Sequence, residues 1–389
     1  MSRAKTLVHR DPRLLFACLV LAGCADSHGQ SDGPVGAIAE PTTEPAAEAA
    51  SESTVEVAAE PTDAAPASPK PGFAPAVAGD DPCSAPGAFE PLQPFPGETC
   101  YDFVPHAPEG VDVPFEQGQG EAYHVWNHAI PWAEDAVATR FGAVLDDADV
   151  NYQWYVFGSP KGNEAEAVSM YVTNTTPGPD ATLFAHWARS RCNVELPKSV
   201  GLQLPHEGTV VVVRHMVNYT GESRLDASAL RICTVPRTSR SQVASMTVLG
   251  TESLNPIEGF PPGLHTFSGT CTNRALDAVE ISLVIPHMHE YGIRTQLELL
   301  PRQEGPPQQL LSSAFDPAAR SYHVFDAPVV LGVGDSLVAS CSYDNDSEYN
   351  LYFGESVVME QCYVYALTSP ARALEDGSLS LLGMNNACW

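Results

Sequence analysis

Two histidines at the end of an apolar strand are the residues in this sequence best suited to bind a metal ion. Side chains alternate along a strand, so Ile281, Leu283 and Ile285 are expected to point to one face, which continues as His287 and His289. Two imidazoles at neighbouring positions of one face can hold a single ion, and neutral imidazole suits copper, zinc, iron or nickel. The alternative is a pair of surface histidines, because a short motif is only a hypothesis until its context is known.

The elements that must position these histidines are predicted to be β-strands. Short runs rich in Val, Ile, Thr and Tyr, such as 208–219 and 329–343, are separated by Pro, Gly, Asn and Asp clusters, and long amphipathic helical patterns are absent. About 305 residues follow the N-terminal segments, which is more than one typical core. We therefore expect an all-β protein with two tandem antiparallel β-sandwich, jelly-roll-like domains. The polar stretch 237–242 suggests the boundary, giving domains at 83–243 and 244–389.

The N-terminus has the pattern of an export signal. A basic start is followed by the short apolar run 14–20, which is too short for a stable membrane span. Residues 21–24 read Leu-Ala-Gly-Cys and resemble the bacterial lipobox, which implies that the signal peptide 1–23 is removed and that Cys24 is lipidated. Because Ala25 rather than Asp follows, the resemblance favours the outer membrane of the bacterial cell envelope, with the lipid anchor as the membrane contact. The alternative is an ordinary secretory signal with an accidental cysteine.

The segment 24–82 is predicted to be a disordered tether. It is dominated by Pro, Ala, Glu, Ser and Thr, and Phe73 is its one aromatic residue, so it cannot bury enough apolar surface to offset the entropy of its chain. The whole sequence carries a net charge of −28. A charge of this sign argues against nucleic acid and against an anionic membrane surface as partners.

The cysteines indicate disulfides in an exported protein. Leaving aside Cys18 in the signal and Cys24, eight cysteines remain, four in each proposed domain, which predicts two bridges per domain. In the second domain we expect Cys341–Cys362, which flank a hairpin, and Cys271–Cys388, which join its first and last strands. Nothing marks any of these thiols as activated for catalysis. In the first domain the pairing is left open among Cys83, Cys100, Cys192 and Cys233.

Several short motifs occur in an order that resembles the copper type II, ascorbate-dependent monooxygenases, the family of peptidylglycine α-hydroxylating monooxygenase and dopamine β-monooxygenase. Each motif is weak alone, but their order and spacing are specific, and they cover nearly all of the chain that is expected to fold. They read Cys-Tyr-Asp-Phe at 100–103, Trp-Asn-His at 126–128, Phe-Ala-His-Trp-Ala at 184–188, Leu-Pro-Lys-Ser-Val-Gly-Leu at 196–202, Val-Arg-His-Met at 213–216, Pro-Pro-Gly at 261–263, Pro-His-Met-His at 286–289, Cys-Ser-Tyr-Asp-Asn at 341–345, Phe-Gly-Glu-Ser at 353–356 and Glu-Gln-Cys at 360–362.

The resemblance implies up to two copper ions. His287 and His289 match the His-x-His pair of the copper that binds dioxygen, so they are also the candidate catalytic residues. The family has a methionine as the third ligand there, but this sequence has Gln361, and Met359 is the nearest sulfur. A Gln oxygen is harder than a thioether and favours Cu(II).

The resemblance places the other copper, which relays electrons, on His128 and His215. The family has a second histidine directly before the position of His128, and this sequence has Asn127 there. A neutral carboxamide is a poor copper donor, so this ion is expected to be bound more weakly. His124, four residues before His128, is an alternative ligand if the strand is irregular.

The resemblance implies an exported copper-dependent monooxygenase-like protein that hydroxylates a C–H bond of a small-molecule substrate with dioxygen and ascorbate or another reductant. The peptide-specific members have an arginine where this chain has Ile285, so peptide amidation is not expected. The altered ligand positions keep a second function open, namely a non-catalytic copper-binding or cell-surface binding lipoprotein. A zinc hydrolase is disfavoured because the chain lacks His-Glu-x-x-His.

Overall fold

The computed structural model of the chain describes residues 81–107, 110–160, 168–171, 180–250, 253–256, 258–303, 305–375 and 387–388. The predicted signal peptide, Cys24 and all but the end of the predicted tether lie outside these ranges. Within them, no helix has the length and apolar character needed to cross a membrane.

The prediction of an all-β fold is confirmed. Regular helix in the described ranges is limited to two 3-10 turns, Pro82–Ser84 and Arg237–Ser239. The strands of these ranges are β1 (Thr99–Phe103), β2 (His106–Ala107), β3 (Gly110–Gln117), β4 (Gly120–Ala129), β5 (Ala136–Val144), β6 (Asn151–Ser159), β7 (Val168–Tyr171), β8 (Thr182–Ala188), β9 (Val194–Glu195), β10 (Val200–Gln203), β11 (Thr209–Asn218), β12 (Arg224–Asp226), β13 (Ala229–Pro236), β14 (Gln242–Leu249), β15 (Gly263–Thr272), β16 (Val279–Met288), β17 (Gly292–Leu300), β18 (Gln308–Ala314), β19 (His323–Leu331), β20 (Ser336–Asn345), β21 (Cys362–Ser369) and β22 (Ala387–Cys388).

The strands of the described ranges form four sheets. The largest has ten strands in the order β1-β13-β5-β10-β14-β21-β16-β19, with β22 added to β14 and β9 added to β5. A five-stranded sheet has the order β7-β4-β11-β6-β8, and a four-stranded sheet has the order β15-β20-β17-β18. A three-stranded sheet of order β12-β3-β2 completes the set.

The ten-stranded sheet runs through the proposed boundary between the two halves of the chain. β14 begins at Gln242, so the boundary between residues 243 and 244 falls inside a strand. β14 pairs in parallel with β10 from the first half and antiparallel with β21 from the second half. The described residues from 81 onward accordingly belong to one compact unit. The two halves therefore share a hydrogen-bonded sheet.

Two strands of that sheet, β16 and β21, are buried on both faces. Ile285 and Tyr365 belong to a first core, which lies between this sheet and the five-stranded sheet. Val284 and Val364 belong to a second core, which lies against the four-stranded sheet. Burial on both faces explains why the centre of β16 is the continuous apolar run 283–286. It also means that Ser282 and His287 on β16 are enclosed by protein.

Four disulfides stabilise the fold. The predicted bridges Cys341–Cys362 and Cys271–Cys388 are both confirmed. The pairing left open in the first half is Cys83–Cys192 and Cys100–Cys233. Three of the four bridges join residues more than 100 positions apart, at separations of 109, 133 and 117. Closing loops of that length stabilises a fold mainly by restricting the unfolded chain.

Candidate metal centre

The predicted metal-binding pair, His287 and His289, lies at the end of β16, inside the first core. His287 and His289 are both 0% exposed, so the alternative of a surface pair is wrong. Their ring centroids are 5.3 Å apart and their planes meet at 87°. A β-bulge between Ile281 and Leu283 changes the alternation, because Ile281 packs in the second core and Leu283 in the first. The face that carries the histidines therefore starts at Leu283.

Each ring of the pair has one nitrogen held by an oxygen atom. Nε2 of His287 donates to Oε1 of Gln361 at 2.8 Å, and Nδ1 of His289 donates to the carbonyl oxygen of Met359 at 2.7 Å. A neutral imidazole carries one proton, so Nδ1 of His287 and Nε2 of His289 are left with lone pairs. Both of these nitrogens are buried and have no hydrogen-bond partner among the residues that the structure describes.

Burial keeps both rings in the neutral form that can bind a metal. It lowers the pKa of His289 to about 3, and nearby arginine charge adds to the effect of burial. It also lowers the pKa of His287 well below its ordinary value, with further contributions from His186 and His289. Two neutral imidazoles, each oriented by an oxygen on its other nitrogen, have the arrangement that metal-binding histidines usually show.

The two residues proposed as a third ligand contact the histidines instead. The amide oxygen of Gln361 is engaged by His287, and the backbone carbonyl of Met359 is engaged by His289. The side chain of Met359 is 37% exposed, and its sulfur lies against Gly354. The segment 359–361 therefore orients the imidazoles in this structure, while the two lone pairs come from histidine alone.

A third buried histidine, which the sequence argument did not select, lies beside this pair. His186 on β8 is 0% exposed, and its ring centroid is 4.8 Å from that of His287 and 4.5 Å from that of Tyr365. Its Nδ1 accepts a hydrogen bond from Nη1 of Arg191 at 2.8 Å. Burial, and then the charge of Arg191, lowers its pKa well below the ordinary value. The signal that could have identified it is a single histidine inside the apolar strand 182–188.

His215, predicted to bind the relay copper, lies in the same buried region with both nitrogens engaged. Its Nε2 is 2.6 Å from Oε1 of Glu121, and its Nδ1 is 2.8 Å from the hydroxyl of Tyr123. Burial lowers the pKa of His215, although Glu121 opposes the shift. The ring of Tyr152 lies 4.9 Å from that of His215 and 5.6 Å from that of His289. One tyrosine ring therefore contacts both histidines.

The structure does not bring His128 and His215 together. His128 is paired with Val210 and His215 with Tyr123 in the ladder between β4 and β11. The two histidines are thus five residues apart in register, about 17 Å along the strands, and they point to opposite faces. Asn127 shares the face of His215 but lies four residues away in register. None of these positions can share one ion with His215 in this arrangement.

His128 packs in a different environment on the far face of β4. Its ring lies 5.3 Å from that of Phe103 and 6.4 Å from that of His106, and burial lowers its pKa to about 4. His124 lies four residues earlier on the same strand and points to the same face as His128. It therefore does not complete a site with His215 either.

Two glutamates in the segment before β21 have raised pKa values. Glu360 is 0% exposed, and its carboxyl oxygens accept from the backbone N–H groups of His289 at 3.2 Å and Tyr291 at 2.9 Å. Burial raises its pKa to about 8 despite these hydrogen bonds. Burial also raises the pKa of Glu355 to about 8, and the hydroxyl of Tyr123 lies 3.2 Å from its Oε2. At neutral pH these carboxyl groups are mostly protonated.

One group of three side chains has possible metal-ligand atoms close together, but it cannot bind a metal ion. Among the described residues, three His, Cys, Asp or Glu ligand atoms lie within 4.8 Å of one another only at Glu98, Cys100 and Cys233. The two cysteines are bonded to each other and offer no thiolate. The described histidines therefore form no closed triad at this distance, and His287 with His289 stays the candidate.

Comparisons with known proteins give little beyond this geometry. No protein-family model matches the chain, and no curated protein matches it. Among solved structures, a chain described as "Recombinant peptide: N-glycanase F (PNGase F)" matches 70% of this chain and 95% of its own length, with a TM-score of 0.31 and 7% identity. A similarity this low carries no argument about the function of this chain.

Proposed function

We propose that this chain is an exported copper-binding protein of the monooxygenase type, which holds one copper ion on His287 and His289. The observation that carries the proposal is the pair of buried nitrogens, Nδ1 of His287 and Nε2 of His289. Both have lone pairs and neither has a hydrogen-bond partner in the described ranges. Buried polar atoms are nearly always paired, so two such atoms on adjacent rings favour a bound ion.

The donor set favours copper over other divalent ions. The two lone pairs come from imidazole, and structural zinc sites normally use four protein ligands and catalytic ones three. A site with two nitrogen donors is expected to bind most tightly the divalent ion with the highest intrinsic affinity for such donors. In the Irving–Williams order that ion is copper. When bound, copper supplies one-electron and dioxygen chemistry. The resemblance of the ordered motifs to the ascorbate-dependent monooxygenases points to the same ion.

In the proposed reaction, a small-molecule C–H substrate is hydroxylated with dioxygen and ascorbate or another reductant. The chain's own contribution is to orient the two rings. Gln361 and the Met359 carbonyl hold the tautomers, and Glu360 holds the backbone of His289. His215 has both nitrogens engaged, so the proposal includes one ion and not a second, relay ion.

A second candidate function is copper binding without turnover, as a lipoprotein of the cell envelope. The observation that favours it is the complete burial of His287 and His289, because a substrate needs access to the metal. Both candidates share the same copper site and the same proposed lipid anchor at Cys24.

The test is the copper content of the purified exported protein, measured by elemental analysis after copper loading and desalting. We expect one copper per chain in the parent protein and none in His287→Ala or His289→Ala. His124→Ala is the matched control, since it removes a buried histidine on the far face of β4 and should leave the content at one. A His287→Ala protein with full copper content would overturn the proposal. Ascorbate-driven dioxygen consumption by the loaded parent protein then separates the two candidates.

A further inference from the structure

The hydrogen-bond partner of His186 decides which of its nitrogens carries the proton. Nη1 of Arg191 lies 2.8 Å from Nδ1 of His186. A guanidinium group has only donors, so Nδ1 must accept and cannot be protonated. The ring is therefore neutral with its hydrogen on Nε2. His186 thus presents an N–H group, in contrast to the lone pairs that His287 and His289 present.

Within the described part of the chain, this N–H group has no acceptor. Nε2 of His186 is buried without a hydrogen-bond partner, and it is not bonded to the unpartnered Nδ1 of His287, although the two ring centroids are 4.8 Å apart. Leaving a buried donor unsatisfied costs about 1–3 kcal/mol. A bound atom that accepts from Nε2 of His186 would remove that cost.

Arg191 beside His186 and the nearby Tyr152 neighbour Arg320 are buried cations without a carboxylate partner in the described ranges. Arg191 and Arg320 are each 2% exposed, and within the described ranges neither forms a salt bridge. The hydrogen bonds of Arg191 go to His186 and to the carbonyl of Pro286 at 3.0 Å, and Nε of both arginines has no partner. Burying a cation without a counter-ion is costly, and an anion is the group that offsets it.

The backbone holds Arg191 in place. It follows a turn in which Ser190 has a φ of 65°, and its N–H donates to the carbonyl oxygen of Ala188 at 3.0 Å. The next residue, Cys192, is bonded to Cys83. A donor fixed in this way can impose one tautomer on His186.

From these observations we infer that His186, with the buried guanidinium of Arg191 beside it, forms a binding site for a small anion beside His287. The ligand is a monoanion whose oxygen or nitrogen atom accepts the Nε2–H hydrogen bond of His186 while it lies next to the copper ligands. The inference rests on the proposed copper site in one respect: the second of the two experiments below uses copper-loaded protein, whereas the first uses protein without metal.

The first readout uses the full-length protein without metal and azide as the probe. In protein with ¹⁵N-labelled histidine, NMR should show His186 as the Nε2–H tautomer, and azide should shift that Nε2 signal with saturation. His186→Gln keeps an acceptor for Arg191 and a donor for the anion, so it should keep azide affinity within about threefold, or about 0.7 kcal/mol. The azide affinity of this variant is measured by calorimetry, since the labelled ring is absent.

The second readout is the absorption band of azide bound to the Cu(II)-loaded protein. His186→Phe should retain one copper but bind azide at least tenfold more weakly, which is about 1.4 kcal/mol. His124→Phe is the matched control and should leave azide affinity unchanged. Thermal melting checks that each variant is folded. If His186→Phe does not fold, the azide affinities of His186→Gln and of the parent protein are compared instead.

The outcomes separate the two proposals. A parent protein that binds no copper but shows the azide shift at His186 contradicts the copper site and supports the anion site. A parent protein that binds copper, but whose His186 signal ignores azide and whose His186→Phe variant binds azide normally, overturns the anion site alone. The Nδ1–H tautomer at His186 also overturns it.

Discussion

Oε1 of Gln361 lies 2.8 Å from Nε2 of His287, and this contact sets the tautomer of the imidazole. The residue stands where the resemblance to copper monooxygenases places a methionine ligand. In this chain it accepts a hydrogen bond from a histidine, so its contribution to metal binding is indirect. Groups of this kind affect metal affinity through the orientation and basicity of the ligand.

Gln361→Leu should therefore weaken copper binding without removing the site. Loss of such an orienting partner typically costs about 10- to 100-fold in metal affinity. The measurement is a competition titration against a chromophoric chelator for Cu(I) and for Cu(II). Met359→Leu is the control, since His289 is held by the backbone carbonyl of Met359 and not by its sulfur. If Met359→Leu loses Cu(I) binding while the copper affinity of Gln361→Leu is unchanged, Met359 is a sulfur ligand.

Asn127→His should not create a second copper site. The new imidazole would lie four residues from His215 in register, and both nitrogens of His215 are already engaged by Glu121 and Tyr123. We expect the copper content to stay at one per chain by elemental analysis. A second equivalent in Asn127→His that disappears on adding His215→Ala would show that the first half can assemble the relay site.

The contribution of Glu360 to the stability of the fold should fall as the pH rises from about 4.5 to about 8, whereas the buried histidines with lowered pKa values act in the opposite direction below about pH 6.5. The pKa of Glu360 is raised to about 8 in the folded protein from an ordinary 4.5. Between these values the folded state keeps a proton that the unfolded state has lost, so the free energy of unfolding decreases with pH. The raised pKa of Glu355 acts in the same direction. Between about pH 7 and 8, where the buried histidines are neutral in the folded and the unfolded states, urea unfolding of the parent protein and Glu360→Gln should show a flatter pH dependence for the variant. An equally steep dependence would mean that Glu360 is ionised in the folded state.

Asp226→Ala should strongly destabilise the first half. Its carboxylate pairs with Arg214 at 2.7 Å, and both side chains are 0% exposed. Breaking a buried pair leaves an uncompensated charge and typically costs about 3–5 kcal/mol. Asp102→Ala breaks the more exposed pair with Arg231 and should cost at most about 1 kcal/mol in the same urea titration. Equal losses in the two variants would contradict the argument from burial.

Cys24→Ala should release the protein from membranes or block its processing, because acyl chains on Cys24 are proposed as the anchor. Fractionation of cells that express the parent and the variant, followed by mass spectrometry of the N-terminal peptide, is the measurement. Unchanged processing and unchanged membrane association of the variant would rule out the lipoprotein proposal.

The sequence alone determined the features that depend on short-range pattern. Period-two runs of β-branched and apolar residues were enough to predict an all-β fold, and the even cysteine count was enough to predict two bridges in each half. The His-x-His spacing was enough to select His287 and His289, because alternation along one strand is a local property. The bridge Cys341–Cys362 was predicted correctly, but the hairpin on which that prediction rested is not formed, because β20 and β21 belong to different sheets.

Only the tertiary structure decided which side chains meet. The bulge after Ile281 and the five-residue offset between His128 and His215 are set by strand register, which depends on pairing with distant strands. The approach of His186 to His287 needs the five-stranded sheet to pack on β16, a contact between residues about 100 positions apart. The tautomer of each ring then follows from partners on other elements. Local sequence carries no record of such partners, because they are chosen by the packing of whole sheets.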